Sequence, residues 1–123
     1  MPVYSLNLTL AANGNANSLE TATKRITPGI LTKMIVMFPA GHVGLTFVSV
    51  FYNARQIIPN HIGEFLRGSG VSLPFEPDED LTEAPHIITL SGYNEDDTFE
   101  HTVYFWFEIK PKRSRLDPRR FLT

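Results

Sequence analysis

Short runs of β-branched and aromatic residues, bounded by Gly, Pro, Asn or Asp, follow one another along most of this chain. In several runs, such as VYSLNLTL, apolar and polar residues alternate, so their side chains would lie on opposite faces of a strand. No segment longer than one turn has a helical period. About eight such runs with ~8–12-residue spacing predict an all-β fold, an antiparallel β-sandwich of jelly-roll type, with an immunoglobulin-like sandwich as the second choice.

The order of the runs divides the chain into three regions. Residues 1–25 would form a first strand and a linker, AANGNANS, whose composition is typical of a flexible connector. This arm would stand apart from a β-sandwich domain at residues 26–110. Residues 111–123 would leave the last strand as an extended arm, because Pro111 and Pro118 disfavour helix.

Two strand pairs are predicted inside the sandwich. ILTKMIVMFP and LTFVSVFYN, joined by a short Gly-containing link, would form an antiparallel hairpin, and PHIITLSGYN and HTVYFWFEI would form the last pair. The segment LETATKR fits either one helical turn or an extended arm. VSLPFEPDEDL contains two prolines, which favour an edge strand or an irregular extended segment.

Length and composition exclude several classes of protein. A chain of 123 residues is long enough for one domain with a real core, and the absence of Cys excludes disulfides and thiolate metal sites. The start, MPVYSLNLTL, lacks the pattern of a signal peptide, and no apolar run approaches the ~20 residues of a membrane helix. We therefore expect a soluble protein that does not enter a membrane.

Charge is strongly segregated along the chain. No Lys or Arg lies between Gly68 and Ile109, whereas ten acids do: Glu76, Asp78, Glu79, Asp80, Glu83, Glu95, Asp96, Asp97, Glu100 and Glu108. The last fourteen residues then carry six of the eleven cations: Lys110, Lys112, Arg113, Arg115, Arg119 and Arg120. Such a basic block predicts an interaction tail whose target is an acidic surface. Binding of nucleic acid is permitted by the tail but opposed by the acidic body.

The acidic stretch YNEDDTFEHT lies between two predicted strands. Asn and Asp favour turns because their side chains bond nearby backbone amides, so an exposed turn is the first interpretation. The alternative is a Ca²⁺ site, if PDED and NEDD met at one end of the sandwich. Neither segment has the spacing of an EF-hand loop, and we expect no metal and no cofactor.

The run HTVYFWFEI has two different faces. His101, Val103, Phe105, Phe107 and Ile109 would face the core. Thr102, Tyr104, Trp106 and Glu108 would face outward, which leaves two aromatic rings on an outer face. Aromatic residues are enriched at protein interfaces, although such rings also stack on sugars. More surface looks apolar than one small core can absorb, since MIVMFP is apolar on both faces, and burial between subunits is therefore favoured.

Signs of catalysis are weak. The four histidines, His42, His61, His86 and His101, are dispersed without the spacing of a zinc motif. His101 begins a core-facing row and is interpreted as a hydrogen-bonded structural residue. Ser69 lacks the context of a nucleophile elbow. We expect no enzymatic activity, although a site assembled from distant residues would not be visible in one sequence.

The pattern ITPGI…FPAGHVGL…FYNARQIIPN…PFEPDEDL…PHIITLSGYNEDDTFEHTVYFWFEI resembles the short β-sandwich proteins of tailed phages, in particular head-decoration (cement) and other virion jelly-roll proteins. The resemblance covers residues 26–110 and contains no catalytic signature. It implies a structural protein of the virion, soluble in the host cytoplasm before assembly, present in many copies and bound to capsid or tail proteins.

The expected mechanism is therefore binding within a homo-oligomer or particle. The tail would dock on an acidic patch of another subunit, including Glu76 to Glu83, with Phe121 in a pocket, although a disordered tail is the alternative. A carbohydrate-binding module that uses the outward aromatics, with or without Ca²⁺, is the second hypothesis for the function. The candidate interface residues are Tyr104, Trp106, Lys110, Lys112, Arg113, Arg115, Arg119, Arg120, Phe121 and Leu122.

Overall fold

The computed structural model describes residues 3–41, 44–59, 61 and 63–111, and this part of the chain is all-β. The predicted antiparallel β-sandwich is confirmed, and the described residues form ten strands where about eight were expected. The strands are β1 Val3–Leu10, β2 Glu20–Arg25, β3 Gly29–Phe38, β4 Thr46–Tyr52, β5 Arg55–Ile58, β6 Leu66–Arg67, β7 Val71–Phe75, β8 Glu79–Leu81, β9 Ile87–Asn94 and β10 His101–Lys110.

The strands form two five-stranded sheets. The order in the first sheet is β1–β10–β3–β7, with β8 paired to the same side of β3. The order in the second sheet is β2–β9–β4–β5, with β6 also paired to β4. The prolines of VSLPFEPDEDL thus lie in or beside the edge strands β7 and β8, as their missing N–H donors predicted.

The core lies between the sheets and is filled by alternate residues of the strands. In β10, Val103, Phe105, Phe107 and Ile109 are buried, which confirms the face predicted for the core. In β4 the buried row is Thr46, Val48, Val50 and Tyr52, whereas Phe47 and Phe51 lie on the other face. Each large apolar side chain buried here stabilises the fold by roughly 1.5–3 kcal/mol.

Both predicted strand pairs are wrong. β3 pairs with β10, β7 and β8 in the first sheet, whereas β4 pairs with β9, β5 and β6 in the second. β9 and β10 are likewise in different sheets. Connections of two to five residues favour hairpins. The connections at residues 39–45 and 95–100 are longer, so each can cross the ~10 Å between the packed sheets and place the next strand in the other sheet.

Residues 3–25 belong to the sandwich, so the expected separate N-terminal arm is wrong. β1 pairs with β10 along its whole length, and LETATKR contributes the edge strand β2 beside β9. The linker between them is also bound, since the Asn13 amide donates to the Asp96 carbonyl (2.8 Å) and the Gly14 amide to that of Asn94 (2.6 Å). Leu8 and Leu10 explain the docking, because their burial in the core holds β1 in place.

The end of the β4–β5 hairpin holds the two sheets together at one side. The buried hydroxyl of Tyr52 shares its one proton between the carbonyl oxygens of Leu81, at 2.9 Å, and Glu83. The guanidinium of Arg55 on β5 lies 2.9 Å from the carboxylate of Glu79 on β8. These contacts place the acidic segment beside the second sheet and define the edge described below.

Candidate functional site

The outer face of the first sheet carries an aromatic pair on β10. Tyr104 and Trp106 lie two residues apart, so both point away from the core. Their rings are nearly parallel, with centroids 6.2 Å apart and an interplanar angle of 19°. Tyr104 is half-buried and Trp106 is 38% exposed. The structure therefore brings these two predicted interface residues together on one surface.

Apolar residues from β3 and β7 extend this surface. Trp106 lies opposite Ile35, and Tyr104 lies opposite Met37. Ile35 lies opposite Pro74 on its other side. Residues directly opposite on adjacent strands share a face of the sheet. We call these five residues, Tyr104, Trp106, Ile35, Met37 and Pro74, the aromatic face.

A shallow cavity of about 110 Å³ opens at one end of the aromatic face. This volume is below the ~300–1,000 Å³ typical of small-molecule pockets, so it suits a protruding side chain better than a drug-sized ligand. The cavity is lined by Val3, Lys33, Ile35, Trp106, Phe107 and Glu108.

Polar residues of β1 border the aromatic face. Ser5 lies opposite Trp106, and Asn7 lies opposite Tyr104. The hydroxyls of Thr9 and Thr102 are 3.0 Å apart beyond them. An apolar centre with a polar rim is the usual anatomy of a protein interface.

Sequence patterns did not identify the contribution of β3 to this site. MIVMFP is apolar on both faces, which signalled a second apolar surface but not its position. Only the register between β10 and β3 places Ile35 and Met37 beside the aromatic rings.

The acidic turn after β9 is a structural element with internal hydrogen bonds. Oδ1 of Asp96 accepts from the amides of Thr98 (2.9 Å) and Phe99 (3.3 Å), and Oδ2 lies 2.8 Å from Nε2 of His101. The hydrogen bond with His101, together with that from Thr98, holds the pKa of Asp96 below its usual value. The side chain of Asn94 is buried beneath the turn and donates to the Phe99 carbonyl at 2.8 Å.

The acidic segment at β8 borders an apolar cleft of about 310 Å³ between the two sheets. Its lining combines Ile57, Ile58 and Pro59 at the end of β5 with Phe75, Glu76, Pro77 and Glu79. We call residues 76–83, together with this cleft, the acidic edge. Lys110 lies opposite Ile30, which lies opposite Asp80, so β10 ends two strands from the acidic edge.

Most of the basic tail lies outside the described residues. Lys110 is exposed at the end of β10, and Pro111 follows it. The candidate residues beyond residue 111 that the structure does not describe are Lys112, Arg113, Arg115, Arg119, Arg120, Phe121 and Leu122. Their binding role stays a prediction.

The outer face of the second sheet has its own aromatic stack. The rings of Phe47 and Tyr93 are 4.7 Å apart, the guanidinium of Arg67 lies 4.8 Å from the Phe47 ring centroid, and Phe65 meets Tyr93 edge-on. Burial raises the pKa of Tyr93. These residues come from three segments, β4, β9 and residues 65–67, so only their tertiary positions reveal the stack.

The side chain of Gln56 organises the loop that follows β5. Its Nε2 lies within 3.1 Å of the carbonyl oxygens of Pro59, His61 and Glu64, and its Oε1 accepts from the Gly63 amide. Gln56 is 7% exposed, so these hydrogen bonds are shielded from solvent.

The described histidines do not converge. His61 lies 2.9 Å from Glu64, His86 contacts the Thr82 carbonyl, and His101 contacts Asp96, which confirms a structural role for His101. His42 lies outside the described residues. Within residues 3–41, 44–59, 61 and 63–111, no group of three or more His, Asp or Glu side chains is arranged to hold a metal ion.

Comparison with known proteins adds no relative. No family model, curated protein or solved structure compared with this chain matches it. In the part of the chain that the structure describes, there is no helix of the length and apolar character needed to cross a bilayer.

Proposed function

We propose that this chain is a non-enzymatic structural protein that binds other proteins in a multi-copy assembly, of the virion decoration or cement type. The aromatic face carries this proposal. It places two rings and three aliphatic side chains on one sheet surface, bordered by polar residues, and leaves Trp106 38% exposed. Burial of such a surface against another protein would remove apolar area from water, which favours association.

The strand pairing supports a jelly roll as the finer description of the fold. β1 pairs with β10, β2 with β9, β3 with β7 and β8, and β4 with β5 and β6. These pairs are nested in sequence and alternate between the two sheets, which fits one long hairpin rolled into a double Greek key. Viral capsid domains and lectins are among the proteins built this way.

Charge substitutions on the aromatic face test the proposed binding. Trp106→Glu and Tyr104→Glu would place a carboxylate at the centre of the interface, where an unpaired buried charge is costly. We expect at least about tenfold weaker self-association or binding to virions of the source, the effect usual for a central aromatic contact. Sedimentation velocity and a particle co-pelleting assay would measure the loss.

Phe99→Glu is the matched control, because Phe99 is 66% exposed in the acidic turn and is not one of the five residues of the aromatic face. This variant should assemble like the parent protein. A parent that stays monomeric at high concentration in light scattering, and does not bind virions, would overturn the proposed function.

In the proposed assembly the basic tail binds the acidic edge of a neighbouring copy. The tail's six cations oppose Glu76, Asp78, Asp80 and Glu83, and the apolar cleft has room for Phe121.

Deletion of residues 112–123 should weaken assembly at low salt and have little effect at high salt, because exposed charges are screened. Phe121→Ala keeps the tail's charge and tests the apolar anchor separately. Equal assembly of the parent and the deletion variant at every salt concentration would exclude the tail from the interface.

A carbohydrate-binding module is the second candidate. The near-parallel rings of Tyr104 and Trp106 are the observation in its favour, because flat exposed aromatics also stack on sugars. A glycan array would identify any sugars that the protein binds. Tryptophan fluorescence in the presence of those sugars would then distinguish the two functions. If Trp106 is quenched by a sugar and the protein stays monomeric, carbohydrate binding replaces the assembly function.

A further inference from the structure

The edge of the first sheet at β1 lacks the features that protect sheet edges. β1 is eight residues long, its sequence VYSLNLTL contains no charged residue and no proline, and its register with β10 is continuous from Val3 to Leu10. An edge strand has alternate N–H and C=O groups that point away from its only partner. Such an edge can pair with another strand.

The other three edges of the sandwich differ from β1 in this respect. β2 carries the charges of Glu20, Lys24 and Arg25. The edge of the second sheet at β4 is divided between β5, of four residues, and β6, of two. The edge of the first sheet at β3 is divided between β7, which contains Pro74, and the short β8. Short strands, prolines and charges are the means by which proteins prevent edge pairing.

We propose that β1 pairs antiparallel with β1 of a second copy of this chain, so that the two first sheets form one continuous sheet. This inference deepens the proposed function, because it names one contact of the multi-copy assembly. We assign a second copy as the occupant because it presents the same uncharged, proline-free edge. A two-fold axis across β1 would oppose uncharged residues only, so the pair would contain no like-charge repulsion.

The two faces of β1 are compatible with this pairing. Ser5, Asn7 and Thr9 are exposed on the outer face, and their counterparts in an antiparallel copy would again be polar. Tyr4 and Leu6 on the inner face are half-buried, whereas Leu8 and Leu10 are buried. The partner strand would therefore cover the part of β1 that the monomer leaves incompletely buried.

Single-cysteine cross-linking tests the pairing, because the chain contains no Cys of its own. Ser5→Cys, Asn7→Cys and Thr9→Cys would be oxidised individually and in pairwise mixtures, and cross-linked dimers measured by non-reducing electrophoresis. The Cα atoms of opposite residues on paired antiparallel strands lie ~4.5–5.5 Å apart, a distance that a disulfide can span. In an antiparallel two-fold pair, the residue numbers of all cross-linked partners should have one constant sum.

Thr23→Cys is the matched control, since Thr23 is exposed in the middle of the charged edge strand β2. Its cross-linking should stay at the level of random collision. Cross-linking of the three β1 variants at no more than this level, or without a constant sum, would overturn the inference. If the basic tail of the same chain covered this edge, the three β1 variants would cross-link no more than Thr23→Cys does.

A charge at the same edge gives an independent measurement. Asn7→Lys should convert the β1-linked dimer to a monomer in sedimentation velocity, because a lysine in the middle of an edge strand opposes edge pairing, whereas Thr23→Lys should not. If Asn7→Lys has no effect but Trp106→Glu abolishes assembly, the β1 pairing fails and the proposed function survives. A monomeric parent without cross-links and without virion binding would overturn both.

Discussion

Nε2 of His101 lies 2.8 Å from Oδ2 of Asp96, and both side chains are largely shielded from solvent, with exposures of 10% and 14%. The pair joins the acidic turn to the first residue of β10. The same turn accepts the amide of Asn13 through the Asp96 carbonyl, so it also holds the linker between β1 and β2. Asp96 therefore connects the acidic turn and the start of β10 to the linker at Asn13, which is distant in sequence.

Asp96→Asn should make the protein less stable than the parent near neutral pH and less sensitive to acid. The hydrogen bond from His101 keeps the pKa of Asp96 below its ordinary value of 3.8 in the folded protein. A lowered carboxyl pKa stabilises the fold above the unfolded pKa, and this stabilisation is lost as the pH falls through the folded pKa. Urea unfolding from about pH 6 to about pH 2 would measure both effects.

Asp97→Asn is the matched control for this prediction. Asp97 is the neighbouring acid, exposed in the same turn, and its carboxylate accepts a hydrogen bond from the Thr98 hydroxyl. Its substitution should leave the acid sensitivity of unfolding close to that of the parent. Equal pH profiles for the Asp96 and Asp97 variants would contradict the structural role of Asp96.

Tyr52→Phe should destabilise the fold by about 1–3 kcal/mol, because it leaves the carbonyl oxygens of Leu81 and Glu83 without the buried hydroxyl as donor. Burial raises the pKa of Tyr52, and the stability that this group confers is lost as the pH rises above about 10. The difference in the free energy of unfolding between the parent protein and Tyr52→Phe should therefore become smaller above that pH. A constant difference in chemical-denaturation experiments at neutral and alkaline pH would argue against the buried hydrogen bond.

Gln56→Glu should loosen the loop at residues 59–64 without unfolding the sandwich. A carboxylate cannot donate, so the carbonyl oxygens of Pro59, His61 and Glu64 would lose their shared donor and face a negative charge. Hydrogen exchange by mass spectrometry should show faster exchange in this loop and unchanged exchange in β10. Unchanged exchange in the loop would show that Gln56 does not hold it.

Gly92→Ala should destabilise the fold by roughly 1–3 kcal/mol, the usual cost of overpacking a core. A Cβ at this buried position of β9 would overlap the Phe47 carbonyl oxygen and lie 3.0 Å from a methyl of Val48. Thermal unfolding would measure the loss. Full stability of the variant would mean that β4 and β9 can separate locally without cost.

Local chemistry determined much of what could be predicted from the sequence. The alternation in HTVYFWFEI assigned Val103, Phe105 and Phe107 to the core and Tyr104 and Trp106 to the outside, because successive side chains in any strand point to opposite faces. The prolines near β7 and β8 likewise indicated a sheet edge, since proline lacks a donor. These properties depend on neighbours in sequence and not on the partner strand.

Tertiary structure alone decided which strands are neighbours. β3 and β4 follow one another but lie in different sheets, and β1 belongs to the sandwich although a flexible-looking linker follows it. The same applies to the site, where Ile35 reaches Trp106 only through the register of β3 with β10. A pattern of apolar residues requires burial but does not specify the partner, because the energy of burial is non-directional and long-range pairing is fixed by the whole core.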